Sequence, residues 1–393
     1  MNEALQKINN SYEKTIFIID SDEKLIGSLT DGDIRRALME ENRFNSNFSI
    51  EKISNKDCVK VKYSEIRFVR YSQKYRIYPV VDDDSRRVLG ILRNHVQGIE
   101  IDSYNIGNNE PAFVISEIGN NHNGDFERAK AMVDQAVEMG ADCAKFQMRH
   151  LDQVYRKRTL HKQGEDLGTE YVLDLLERFE LSVEEQRLLA DYCQEKGILY
   201  LCTPWDQRSI AVLESFGVPA YKVASADLTN LPLIDQLCQT GKPLILSTGM
   251  STRQEVQATV HFLQQRGAQF VLLHCNSTYP APFQDIQLKW MEQLRTIHPL
   301  VGYSGHERGI AVTLAAVALG ACVVERHFTF DRRMEGPDHA ASLEFKEFQQ
   351  LITGIREIEQ SLGDGCEREL SQGEMINREN LAKSLVAARP LKR

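Results

Sequence analysis

Two imidazoles, His306 and His327, lie at the ends of the strand-like runs Val301–Ser304 and Val323–Phe328. On adjacent strands they can meet at one divalent ion, because neutral imidazole is a good ligand for such metals. Two His leave coordination positions open, and a catalytic metal needs an open position. A carboxylate, Glu117, follows a third run, Phe113–Ser116, and leads into Asn120, Asn121 and His122. Lys145 and Lys222 add cations, and Thr203, Ser225, Ser277 and Ser304 add hydroxyls. Cations and hydroxyl donors together suit a small phosphorylated, carboxylated anion. A lone His or a polar strand end is more often a structural hydrogen bond. The inference of a site rests on the whole set.

Each of these residues closes one of eight apolar runs. They are Phe113–Ser116, Cys143–Gln147, Leu199–Thr203, Tyr221–Ser225, Leu244–Thr248, Phe270–Cys275, Val301–Ser304 and Val323–Phe328. Short continuous apolar runs fit strands buried on both faces. Helical patterns separate them. In the first, Asp125 caps, Ala129, Met132, Val133, Ala136 and Val137 follow helical spacing, and Gly140 terminates. In the last, Glu344–Leu362, Phe345, Phe348, Leu351, Ile352, Ile355 and Ile358 share one side. Eight βα units over ~250 residues predict an α/β fold of the (β/α)8 TIM-barrel type, with its site built at strand C-terminal ends. The stretch 117–124 is then expected as the first wall of that site.

A smaller α+β region precedes the barrel. Thr15–Ile19 and Leu25–Leu29 flank an acidic turn, and Ile77–Val81 and Arg87–Leu92 repeat the pattern after about sixty residues. This β-turn-β pair, with Gly27–Asp33 (GSLTDGD), resembles a pair of CBS modules. The resemblance implies one adenine-nucleotide effector site at Thr30 and Asp33, since the second unit, Gly90–His95, lacks both residue types. The bland alternative is that Thr30 and Asp33 cap the following helix. The expected boundaries are a CBS-module pair over 1–98, a polar linker over 99–110, the barrel over 111–365 and a C-terminal extension over 366–393.

Composition narrows the function classes. The 393 residues carry a formal charge of −9, which argues against general nucleic-acid binding. No apolar run approaches the ~20 residues of a membrane span, and the N-terminal stretch has no secretory apolar core. The eight Cys show no CxxC spacing and lie mostly in apolar runs, as buried reduced thiols of a cytoplasmic protein would.

Residues 111–389 resemble the sialic acid synthases, which condense phosphoenolpyruvate with an N-acylated amino-hexose to give a nonulosonic, 2-keto-3-deoxy acid. The matching motifs are Ser116–Gly124 (SEIGNNHNG), Lys145–Gln147, Cys202–Trp205, Tyr221–Ser225, Leu246–Met250, His274–Pro280, Gly302–His306, Glu325–Thr329 and Gly336–Asp338. By that likeness His306 and His327 hold one Mn2+ or Mg2+ ion. Lys145, Thr203, Lys222, Ser225, Ser277 and Ser304 surround phosphoenolpyruvate. Gln147, Tyr279 and Asp338 meet the amino-sugar acceptor, and Glu117, His327 and Asp338 are the catalytic set, with Glu117 orienting or deprotonating a reacting group. Ser277 stands where relatives often have Asn. The resemblance also implies a homodimer or higher homo-oligomer. Relatives continue into a small C-terminal antifreeze-like domain, whereas this sequence reaches its last residue about where that domain would start. Two rivals are a Schiff-base aldolase using Lys145 or Lys222 and a nucleotide-sensing regulator with an inactive barrel.

Overall fold

The computed structural model describes residues 7–8, 15–30, 32–34, 50–68, 77–93, 98–107, 110–154, 174–363, 368–386 and 388. Eight parallel strands form the large sheet: β8 (Phe113–Gly119), β9 (Cys143–Met148), β10 (Leu199–Pro204), β11 (Tyr221–Val223), β12 (Leu244–Ser247), β13 (Phe270–Cys275), β14 (Val301–Gly305) and β15 (Val323–His327). Their order is β10-β9-β8-β15-β14-β13-β12-β11, and β10 lies against β11, so the ends of the sheet meet in a near-closed barrel. All eight expected strands are present, with ends shifted by at most a few residues. Every residue of β8, β13, β14 and β15 is buried, as strands packed on both faces require.

Helices α1 (Phe126–Met139), α2 (Val183–Lys196), α3 (Gln207–Phe216), α4 (Leu231–Gln239), α5 (Arg253–Gln265), α6 (Trp290–Arg295), α7 (Ala311–Ala318) and α8 (Phe345–Leu362) surround the strands. Local chemistry sets their ends. Asp125 accepts from the Arg128 amide at the start of α1, and Gly140 ends it in the left-handed region at φ 84°. Ser182 with Glu185, Thr252 with Glu255 and Glu344 with Glu347 form reciprocal capping boxes on α2, α5 and α8. Phe348, Leu351, Ile352 and Ile355 bury the inner face of α8. Cys143, Cys193, Cys202, Cys275 and Cys322 are buried free thiols. No helix among the described residues is long and apolar enough to cross a membrane.

Within the expected linker 99–110, residues 99–106 are structured rather than a polar connector. Ile99–Ile101 (β6) and Tyr104–Ile106 (β7) pair as an antiparallel hairpin, with Asp102 at φ 52° in its turn. Ile99, Ile101 and Ile106 are buried against Phe113, Ile115, Cys143, Leu201, Ile245, Val271, Leu273 and Val323. The hairpin therefore closes the N-terminal end of the barrel. The composition of 99–110 concealed this, because a two-stranded plug needs only three inward apolar residues and leaves the rest polar.

In the N-terminal region, β1 (Thr15–Ile19) pairs with β2 (Leu25–Thr30), and β4 (Ile77–Val81) pairs with β5 (Val88–Arg93) and β3 (Val61–Lys62). The hairpin turns meet through reciprocal bonds. Leu25 N donates to Arg86 O at 3.1 Å, and Val88 N donates to Glu23 O at 2.9 Å. Glu23 and Arg86 share the left-handed conformation, φ 62° and 60°. The repeat seen in the sequence is thus a local two-fold. Thr30 and Asp33 bond each other, Thr30 Oγ1 to Asp33 Oδ2 at 2.7 Å and Asp33 N to Thr30 Oγ1 at 3.2 Å, which is the capping arrangement.

Substituting a fully buried isoleucine of the plug leaves a cavity, so Ile101→Ala is expected to cost about 2–5 kcal/mol. Urea denaturation measures it; a change too small to detect would mean the hairpin does not seal the barrel in solution.

Candidate active site

The two-residue alternation of a strand builds the site. Along the lumen-facing row of each strand, apolar residues at the bottom give way to polar ones at the top. Ile115 is followed by Glu117, Cys143 by Lys145, Leu201 by Thr203, Ile245 by Ser247, and Val323 by Glu325 and His327. The polar layer lies at the C-terminal ends, directly above the sealed apolar floor. It lines a cavity of about 220 Å³ that contains Glu117, Lys145, Gln147, Thr203, Lys222, Ser225, Ser277, Tyr279, Ser304, His306 and His327. Asp338 does not line that cavity; its Oδ2 lies 3.9 Å from His327 Nδ1.

Four charges form a continuous chain at the base. Glu117 Oε2 lies 2.6 Å from Lys145 Nζ, Lys145 lies 3.7 Å from Glu325, and Lys222 lies 3.7 Å from Glu325. All four are at most 5% exposed. Lys145 also donates to Thr203 Oγ1 at 3.1 Å, and Lys222 donates to Ser247 Oγ at 2.7 Å and Val223 O at 3.0 Å. Ser304 Oγ donates to Glu325 Oε1 at 3.0 Å.

The two carboxylates are not equivalent. Burial pushes Glu117 up to about 7, against the pull of Lys145, and repulsion from Glu325 adds to the rise. Burial would raise Glu325 as well, but Lys145 and Lys222 flank it and hold it at about 2. Burial opposes charge on Lys145, yet Glu117 and Glu325 keep the ammonium above its ordinary value. Gln147 Nε2 donates to Glu117 Oε1 at 2.9 Å. The orientation of that amide is set from its other side, where Oε1 accepts from the Trp205 indole at 3.2 Å and from the Arg149 guanidinium.

The His306 and His327 rings stand 5.4 Å apart, and the Tyr279 ring stacks on His306 at 4.0 Å. His306 Nδ1 donates to Asn276 O at 2.6 Å, which leaves Nε2 as its ligating atom. Burial lowers His327 to about 4, so its ring is neutral near pH 7. His327 Nδ1 is buried without a hydrogen-bond partner. An orphaned imidazole nitrogen beside a second imidazole fits a divalent cation. Among the described residues no group of three or more His, Cys, Asp or Glu is arranged to hold a metal; two imidazoles alone would leave a cation open positions.

The stretch 117–124 divides into two roles. Glu117 faces the cavity, whereas Asn121 Nδ2 donates to Phe328 O at 2.8 Å and Ser342 Oγ at 2.9 Å, and Asn123 Nδ2 donates to Glu335 O at 3.0 Å. His122 Nδ1 accepts from the Gly124 amide at 3.1 Å. Asn121 and Asn123 fasten the loop after β8 to the segment after β15, and His122 shapes its own loop. Glu325, Ser247, Cys275 and Trp205 are cavity residues to which the sequence reading assigned no role. Stepping back two residues from His327 along its strand points to Glu325; no comparable signal picks out Trp205.

The NeuB family model matches residues 132–367, and a CBS domain model matches residues 1–40. The N,N'-diacetyllegionaminic acid synthase of Campylobacter jejuni is 39% identical over 287 residues, covering 71% of this chain and 86% of that protein. The human N-acetylneuraminate-9-phosphate synthase is 36% identical over 291 residues, covering 72% and 79%. Among solved structures, the N-acetylneuraminic acid synthetase of Leptospira borgpetersenii superposes with a TM-score of 0.64 at 33% identity, covering 74% of this chain and 99% of that one. The barrel, the strand-end residues and these likenesses agree: this chain is an enzyme of the NeuB family with a CBS domain at its N-terminus.

Proposed function

We propose that this enzyme condenses phosphoenolpyruvate with an N-acylated amino-hexose to give a nonulosonic acid and phosphate, with C–O cleavage. The observation that carries the reading is the buried Glu117–Lys145–Glu325–Lys222 chain beside His306 and His327. The names of the relatives, a legionaminic acid synthase and an N-acetylneuraminate-9-phosphate synthase, support the product class.

In this mechanism Lys145 and Lys222 bind the phosphate and carboxylate of phosphoenolpyruvate, assisted by the hydroxyls of Thr203, Ser225, Ser277 and Ser304. Gln147 and Tyr279 orient the acceptor at the mouth, and Asp338 steadies the His327 ring. His306 and His327 would hold a manganese or magnesium ion, which when bound supplies Lewis-acid polarisation of the acceptor aldehyde. C3 of phosphoenolpyruvate forms a bond to the aldehyde carbon, whose oxygen becomes a hydroxyl. Positive character develops at C2, and the Glu117 carboxylate stabilises it at short range. Water adds to C2; Glu117 takes one of its protons and passes it to the former aldehyde oxygen, a transfer suited to a group that titrates near neutrality, and the proton left on the new C2 hydroxyl departs with phosphate. The C2–O bond to phosphate then breaks, leaving the 2-keto acid. The apolar floor beneath excludes bulk water and strengthens each of these interactions. An imine-forming lysine needs a free amine; Lys145 is kept protonated between two carboxylates, whereas burial lowers Lys222, and borohydride trapping with a keto acid tests that lysine.

The CBS domain adds an adenine-nucleotide effector, which we place at Thr30 and Asp33. Unchanged kinetics and melting temperature across adenine nucleotides would remove it.

Three measurements test the reading. Phosphate release from phosphoenolpyruvate is expected only with an amino-sugar partner, in a panel of N-acetylmannosamine, its 6-phosphate and 2,4-diacetamido-6-deoxy hexoses. No release with any member would reject the synthase assignment. Glu117→Gln is expected to lower turnover by at least ~100-fold, while calorimetric affinity for phosphoenolpyruvate persists; full activity of the variant would refute the role. Chelation is expected to abolish turnover and added Mn2+ to restore it, and turnover that survives chelator would count against the cation.

A further inference from the structure

Residues 324, 326 and 328 share the outward side of the β15 row, where strands meet helices. Val324 and Phe328 belong to the apolar core there, but Arg326 does not, and it is 0% exposed. Its Nη1 donates to Glu307 Oε1 at 2.8 Å, Thr313 Oγ1 at 2.7 Å and Gly309 O at 3.0 Å, and its Nη2 donates to Glu307 O. Glu307 is equally buried, and its Oε2 accepts from the Tyr303 hydroxyl at 2.8 Å. A well-packed apolar substitute for a buried ion pair is often as stable or more so. Stability alone therefore does not account for a charge in this row.

Position does. Arg326 immediately precedes His327, and Glu307 immediately follows His306. The pair ties the backbone next to one imidazole to the backbone next to the other, from the side opposite the cavity. Gly305 lies between. A Cβ there would come within 2.6 Å of the Tyr303 ring, 2.7 Å of Glu307 Oε2 and 3.0 Å of Arg326 Cδ. The pair closes over bare backbone, with no room for a side chain.

We propose that Arg326 and Glu307 are positioning residues: a clamp on the outer wall of the barrel that sets the spacing of His306 and His327, and through it the affinity for a divalent cation. The proposal rests on the reading of those two imidazoles as cation ligands. Groups that orient metal ligands from behind typically change affinity by about 10–100-fold.

The test is calorimetric titration of Mn2+ into metal-stripped, full-length protein, with phosphoenolpyruvate affinity measured in parallel without metal. Arg326→Lys and Gly305→Ala are expected to weaken Mn2+ binding by about 10–100-fold and to leave phosphoenolpyruvate affinity unchanged. Tyr303→Phe and Thr313→Val, which remove single bonds of the clamp, give the same readout should Arg326→Lys fail to fold. Wild-type Mn2+ affinity in the folded variants overturns the clamp alone. Parallel loss of both affinities overturns it in favour of a general structural role. A wild-type protein that binds no Mn2+ overturns the clamp together with the cation reading beneath it.

Discussion

The interaction on which the rest depends is the Glu117–Lys145 ion pair, 2.6 Å across and almost fully buried. Neither charge would stay ionised alone in that environment, because isolated buried ions shift their pKa values and neutralise. Together with Glu325 and Lys222 they make a balanced set of two cations and two carboxylates. Removing one charge leaves its partner uncompensated, at a cost in stability. The balance also matters for ligands. An anion arriving here must be matched by added positive charge, and the site offers two means: protonation of Glu117, already pushed towards neutrality, and a cation at the imidazoles.

That charge chain exists only because the barrel beneath it is dry. Each strand contributes apolar residues low in the lumen and one or two polar residues at the top, and the β6–β7 hairpin seals the lower end. The plug and the site are separated by a single layer of side chains: Ile101 packs in the same cluster as Ile115 and Cys143, two residues before Glu117 and Lys145 on their strands. The plug also follows β5 of the N-terminal region directly in the chain and precedes β8, the strand that bears Glu117.

The loops above the barrel show the same economy. Asn121 and Asn123 bond the segments after β15, and His150 anchors the loop after β9 to the start of α3 through Asp206, 3.1 Å away. These polar latches resemble catalytic residues in composition, and their hydrogen bonds hold the rim in place.

Much of this was legible from the residues in order. Eight apolar runs with helical spacing between them determined the barrel, because strands buried on both faces need continuous apolar stretches. The barrel rule then placed Glu117, Lys145, Lys222, His306 and His327 at one end. What only the tertiary structure decided were relations between residues far apart in sequence. Residues 99–106 seal a barrel only once eight strand ends surround them. Asn121 was indistinguishable from a ligand-binding residue until its partners, Phe328 and Ser342, came within reach. Glu325 became the hub of two lysines only when the barrel brought β9 and β11 round to face β15, and Arg326 the partner of Glu307 only when β14 and β15 lay side by side. Periodicity along a chain reports which face a residue occupies; it carries no information about which distant charge waits on that face.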